Sequence, residues 1–226
     1  MNSLRQDPTT RAVAFALLLN SQGFATRESS AAELEIAPER VDAALSALEE
    51  DRLIDTDRQP INPRLFNALA ECWAQSDPPV SLMNEPPLQN TRLAESLGFG
   101  LEVIERSAGW VLTGTHAAAI WGIPIGDVSN TPPRYYLPRE DLLRRAEREL
   151  GVSSSVSGTR AIISVTPVAW ITTHRIDAAA GGVDSHWPVV HPLVVALELA
   201  TNHDEQSHLL LDSWHPPELL VHQPWR

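Results

Sequence analysis

The sequence predicts an α+β protein in two parts, 226 residues long. Three observations lead there. Residues 1–75 carry apolar stripes at helical spacing and end in two short apolar segments around a polar turn. Two proline pairs, Pro78-Pro79 and Pro86-Pro87, then interrupt the chain, and no helix continues through them. Beyond residue 88, short β-branched and aromatic runs alternate with helical ones. The expected organisation is a first domain at 1–75, a Pro-rich linker at 76–87 and a mixed α+β domain at 88–226.

In the first part, Val13, Ala14, Leu17 and Leu18 set a helix from Thr9 or Thr10 to about Gln22. Thr9 or Thr10 would cap it, and Gly23 would stop it. A second, short helix fits from Ser29 or Ser30 to about Glu35, with Ser30 and Glu33 at capping-box spacing. Ile36 and Ala37 make a turn, and Pro38 stands where proline suits the first turn of a new helix. In that third helix Val41, Ala44, Leu45 and Leu48 recur at i, i+3, i+4 and i+7, a single buried stripe. Leu53-Ile54 and Ile61 flank the polar turn 55–60 as two short strands. A fourth helix runs from Pro63 or Arg64 to Ala74.

In the second part, Thr91 to Leu97 reads as a short helix. Residues 101–106 and 109–113 read as strands, 115–121 as an Ala-rich helix, and 134–137 (RYYL) as a strand. Residues 138–150 form the clearest helix. Pro138 starts it, Glu140 and Asp141 lie in its first turn, Arg148 in its last, and Gly151 just beyond. Glu140–Arg144 and Asp141–Arg145 are favourable i, i+4 pairs. Residues 160–165 read as a strand, and 192–200 and 206–214 as helices.

The net charge is −12, and all 17 basic residues are arginines. That balance disfavours sequence-independent coating of nucleic acid, which depends on neutralising many phosphates, but leaves room for a local site of opposite sign. A single cysteine, Cys72, excludes an internal disulfide and a Cys-rich zinc site. The first residues lack the apolar run of a signal peptide, and no segment reaches the ~20 apolar residues of a membrane span. A soluble, cytoplasmic chain with no membrane partner is expected.

The order helix, helix, turn, helix, two short strands, carried by AAELEIAPERVDAALSALEEDRLI (residues 31–54), resembles a winged helix-turn-helix domain over residues 8 to about 75. Members of that family often place a glycine before the Leu-Ile pair, where this chain has Arg52. The resemblance implies contact with double-stranded DNA. Arg40 and Ser46, on the outward side of the third helix, can bond bases or phosphates, and Ala43 can touch a thymine methyl. Arg27, Arg40, Arg52 and Arg58 can form a phosphate-facing rim. The expected DNA-binding set is Arg27, Ser30, Arg40, Ala43, Ser46 and Arg58. Residues 1–75 nevertheless hold 7 Arg against 12 Asp and Glu, a net of −5. A winged helix used for protein contact or assembly is therefore the alternative.

Further motifs lie in the second part: GWVLTGTHAAAIWGIP (109–124), PPRYYLPREDLLRRAERELG (132–151), HPLVVALELA (191–200) and LLLDSW (209–214). Together they resemble the C-terminal domain of the AbiEi family, antitoxins of type IV toxin–antitoxin systems and related regulators with an N-terminal winged helix. The resemblance implies a regulator that binds its own promoter. A cognate toxin or another protein would be its partner, a homodimer is allowed, and neither catalytic residue nor cofactor is needed. LTGTHAAAIWG is also similar to the Gly-rich strand-to-helix start of nucleotidyltransferases. Their chemistry needs Asp-x-Asp or Asp-x-Glu on the next strand for two metal ions. Here that strand reads Arg134-Tyr135-Tyr136-Leu137, so such an ancestor would have lost its site. The late histidines match no zinc spacing. Cys72 reads as a buried structural thiol and 153–158 as a loop rather than a phosphate cradle.

Overall fold

The computed structural model describes residues 3–20, 31–73, 78–88, 91–102, 104, 107–178, 186–202, 205–215 and 223–225. It is a mixed helix and sheet protein with one four-stranded sheet. The chain divides into two compact units. One comprises Met1–Gln75, Ala196–Ser213 and Pro217–Arg226, and the other Ser76–Val195 and Trp214–Pro216. The sequence reading had placed all of 88–226 in a single second domain.

The first unit contains α1 (Ser3–Gln6), α2 (Pro8–Leu19), α3 (Pro38–Glu50) and α4 (Asn62–Trp73). Helix α2 starts one step earlier than its apolar spacing suggests. Asp7, not a threonine, is the cap: its carboxylate accepts from the Thr9 and Thr10 amides, with Pro8 at the first helical position. The helix ends at Leu19, and Gly23 lies outside the described residues. Val13 to Leu18 are wholly buried, so α2 is the unit's central rod, packed on α1, α3 and α4. Helix α3 buries the predicted stripe of Val41, Ala44, Leu45 and Leu48. Val41, Leu45 and Leu48 each contribute about 1.5–3 kcal/mol by leaving water. Phe15 of α2 stacks on Trp73 of α4 with centroids 5.8 Å apart.

The expected pair of strands after α3 contracts to one antiparallel bridge, Ile54 to Pro60. The Asp55 amide donates to the Gln59 carbonyl at 2.9 Å, and the Ile61 amide to the Leu53 carbonyl at 3.1 Å. Proline has no N–H to extend the ladder. The tip is held by the Asp55 carboxylate, which accepts from the Asp57 and Gln59 amides.

The second unit holds the sheet, in the order β1 (Val80–Leu82), β4 (Ala161–Val165), β3 (Arg134–Leu137), β2 (Val111–Thr113). The β3–β4 pair is parallel; β2–β3 and β1–β4 are antiparallel. Strand β1 lies inside the stretch assigned to a linker. Three residues between prolines carry almost no periodic signal, and the pairing with β4 supplies what the local sequence does not. Helices α5 (Thr91–Leu97), α6 (Gly114–Ile120), α7 (Glu140–Leu150) and α8 (Trp170–Thr173) belong to this unit. Its core gathers Phe99, Trp110, Tyr135 and Trp187, whose ring centroids lie 4.8–6.2 Å apart.

Two sequence expectations fail here for physical reasons. No strand forms at residues 101, 102 and 104; Gly98 and Gly100, at φ 67° and 63°, turn the chain before it can extend. Helix α7 begins at Glu140, two residues after Pro138. Its Asp141 pairs back to Arg139 at 2.9 Å, while Arg145 donates to the Ser96 carbonyl at 2.6 Å, so of the two foreseen pairs Glu140–Arg144 forms. Helix α9 (Pro192–Thr201) follows, with Leu193 to Leu197 buried, and then α10 (Glu205–Ser213).

Candidate nucleic-acid interface

Residues 31–33 are helical and lead into a left-handed turn. The Ile36 amide donates to the Ala31 carbonyl at 2.9 Å and the Glu35 amide to the Ala32 carbonyl at 3.3 Å, with Glu35 at φ 53°. This is a Schellman closure. Helix α3 then starts at Pro38. It ends in a second closure of the same kind: Leu53 to Leu48 and Arg52 to Glu49, both at 2.9 Å, with Arg52 at φ 57°. Arg52 thus stands in the conformation that glycine adopts most cheaply.

Helix α3 presents Glu39, Arg40, Ala43, Ser46, Glu49 and Glu50 to solvent, with Asp42 half-buried. Three of the expected contact residues, Arg40, Ala43 and Ser46, therefore share one exposed side. Arg40 reaches back across α2. Its guanidinium donates to the Thr9 hydroxyl and lies 3.9 Å from the Asp7 carboxylate. Burial pushes the Asp7 carboxyl up, but the Thr10 hydroxyl, the Thr9 and Thr10 amides and the Arg40 charge together hold it below its ordinary value. Arg58, at φ 61° on the tip after α3, lies 3.2 Å from Asp42. Arg27 and Ser30 lie outside the described residues. Sequence reading missed Asp7 and Thr9 as neighbours of Arg40; the run Asp7-Pro8-Thr9-Thr10, a capping signature, was the signal available.

The exposed side of α3 carries three carboxylates against one guanidinium. Arg40 and Arg58 remain 65% and 49% exposed in their side chains, so both pairs are open to water. Exposed pairs of this kind contribute about 0–1 kcal/mol and exchange readily with another anion.

In the second unit, Gly114 begins α6 beneath Arg134, and a Cβ there would meet Arg134 Cδ at 2.9 Å. A cation covers the glycine where a two-metal chemistry would need acids. Among the described residues no three His, Cys, Asp or Glu side chains could together hold a metal ion. Cys72 is buried, and that burial pushes its thiol up, away from the reactive thiolate. His116 on α6 is half-buried; its Nδ1 has no hydrogen-bond partner among the described residues, and burial holds the imidazole below its ordinary value.

One residue that no motif marked organises this unit. Arg175 is 4% exposed and faces no carboxylate among the described residues. Its Nη1 donates to the carbonyls of Phe99 (2.9 Å) and Trp110 (3.2 Å). Its Nη2 donates to those of Gly100 (2.7 Å), Ile104 (3.3 Å) and Ser107 (2.7 Å). Desolvation pushes the guanidinium down to about 10. Gly109 is required for the close approach, because a Cβ there would come 2.4 Å from Nη1.

No family model matches the chain, and no curated protein or solved structure matches it.

Proposed function

We propose that this chain is a transcriptional regulator that contacts double-stranded DNA through its first unit. The observation that carries the reading is the helical stretch 31–33, the left-handed turn at Glu35, and α3 with Arg40, Ala43 and Ser46 on one exposed side. In helix-turn-helix proteins the N-terminal part of the second helix meets the base edges, while flanking arginines grip phosphates. Arg40 lies in the first turn of α3, and Arg58 on the following tip serves as a second grip. Glu49 and Glu50 stand at the far end of α3, away from such a contact. The motifs between residues 109 and 214 extend the reading to an AbiEi-like antitoxin that regulates its own promoter, with a toxin as protein partner.

A second reading has its own support. Arg40 and Arg58 already face Asp7 and Asp42, and the exposed side of α3 is net acidic. That surface also suits a basic protein, which would make the chain an assembly factor rather than a DNA reader. Selection of bound sequences from a random duplex library separates the two. Enrichment of a motif supports the regulator; recovery of unenriched sequence overturns it.

A further inference from the structure

Both arginines that would grip DNA already face an anion of the chain itself. Nη2 of Arg40 donates to the Thr9 hydroxyl and lies 3.9 Å from Asp7 Oδ1. Nη1 of Arg58 donates to Asp42 Oδ1 at 3.2 Å. A carboxylate and a phosphate offer a guanidinium the same kind of oxygen, so each carboxylate competes for the place a phosphate would take. Asp7 is a fixed competitor. Its Oδ1 accepts from the Thr9 amide at 3.1 Å, and its Oδ2 from the Thr10 amide at 2.9 Å and the Thr10 hydroxyl at 2.7 Å. It cannot swing aside without uncapping α2. Its carboxyl is held below the ordinary 3.8 and is ionised at neutral pH. Asp42 belongs to α3 itself, and its pair with Arg58 joins that helix to the tip that follows it.

We propose that Asp7 and Asp42 set the affinity of the DNA site: each occupies a gripping arginine as an internal anion that phosphate must displace. The inference rests on the DNA reading and names how that same site is held in check. Phosphate contacts supply the sequence-independent share of binding. Balancing them inside the chain lowers that share, and leaves base contacts from the first turn of α3 to decide where the chain binds. Two of the acids that make residues 1–75 net acidic thereby gain a role at the interface.

The test is fluorescence anisotropy of the full chain with a duplex from its own upstream region and with a scrambled duplex. Asp7→Asn removes the charge but keeps the cap, since asparagine caps a helix as well as aspartate. Asp7→Asn and Asp42→Asn should each tighten the binding of both duplexes by about threefold, the scale of an exposed ion pair. Glu49→Gln removes the same charge at the far end of α3 and should tighten binding by less than half as much. The gain from Asp7→Asn should shrink by at least half in an Arg40→Ala background, and the gain from Asp42→Asn in an Arg58→Ala background. Arg40-dependent binding that neither asparagine variant tightens overturns the inference and leaves the DNA reading standing. Gains no larger than that of Glu49→Gln, or untouched by loss of the arginine, also overturn it, because overall charge is then the cause. No binding at low salt by the parent or any variant overturns both.

Discussion

Arg40 of α3 donates to the Thr9 hydroxyl and lies 3.9 Å from Asp7, the residue that caps α2. One carboxylate thus closes a helix and meets the arginine expected to grip DNA. The two jobs differ in weight. The cap accepts two backbone amides and the Thr10 hydroxyl, whereas the ion pair is exposed. Asp7→Ala should therefore cost about 1 kcal/mol through the cap. Arg40→Ala should change stability by less than about 1 kcal/mol. Because the Asp7 carboxyl is held below its ordinary value of 3.8, its contribution is present above that value and is lost as pH falls through the folded one. Denaturant titrations of both variants at neutral pH and near pH 3 check this.

Left-handed closures give a second expectation. Among the described residues, helix ends at Glu35, Arg52, Gly98 and Gly122 close in the same way, the first two with a residue that carries a side chain. Arg52→Gly should raise stability by about 0.5–1 kcal/mol, since it relieves the left-handed penalty at some cost in unfolded-state freedom. Gly122→Ala is the mirror experiment. Nothing lies within 4 Å of a Cβ there, so its loss of about 1 kcal/mol would be backbone strain alone. Paired urea midpoints for the two variants give the answer.

Arg175 donates to five backbone carbonyls of the second unit. Arg175→Leu keeps the bulk but leaves buried carbonyls without a donor, and should cost at least about 3 kcal/mol. Arg175→Lys keeps the charge but offers one nitrogen to carbonyls that Nη1 and Nη2 share between them, so it should rescue less than half of that loss. Calorimetric scans of the variants report both values.

His116 sets a pH expectation. Its imidazole is held below the ordinary 6.5 by burial, so the folded chain keeps it neutral where the unfolded chain takes up a proton. Stability should fall on acidification below 6.5, and His116→Gln should flatten that slope relative to the parent. Equal slopes for parent and variant, measured by urea titration between pH 7.5 and pH 5, would assign the pH dependence elsewhere.

Helices α3 and α7 were legible because their cause is local, whereas the four-residue helices α1 and α8 carried no such signal. The Val41, Ala44, Leu45, Leu48 stripe and the acid-first, arginine-last pattern of α7 state helix, buried face and direction in the sequence alone. What was illegible depends on distant partners. Strand β1 exists by pairing with residues 161–163, some eighty positions away. The carbonyls of Gly100, Ile104 and Ser107 are held by Arg175, which sits in a segment with no motif of its own. At the candidate interface, the outward set on α3 followed from periodicity. The partners of Arg40 and Arg58 did not, since Asp7 lies thirty-three residues away from one and Asp42 sixteen from the other.

The most direct measurement is binding of the full chain to duplex DNA from its own upstream region, followed by fluorescence anisotropy across a salt series. The regulator reading predicts saturable binding whose logarithm falls linearly with the logarithm of salt. It also predicts that Arg40→Ala weakens binding and lowers the slope by about 1, one phosphate contact. Absence of binding at low salt, or a slope and affinity untouched by Arg40→Ala, would contradict it and turn α3 into a protein-contact surface.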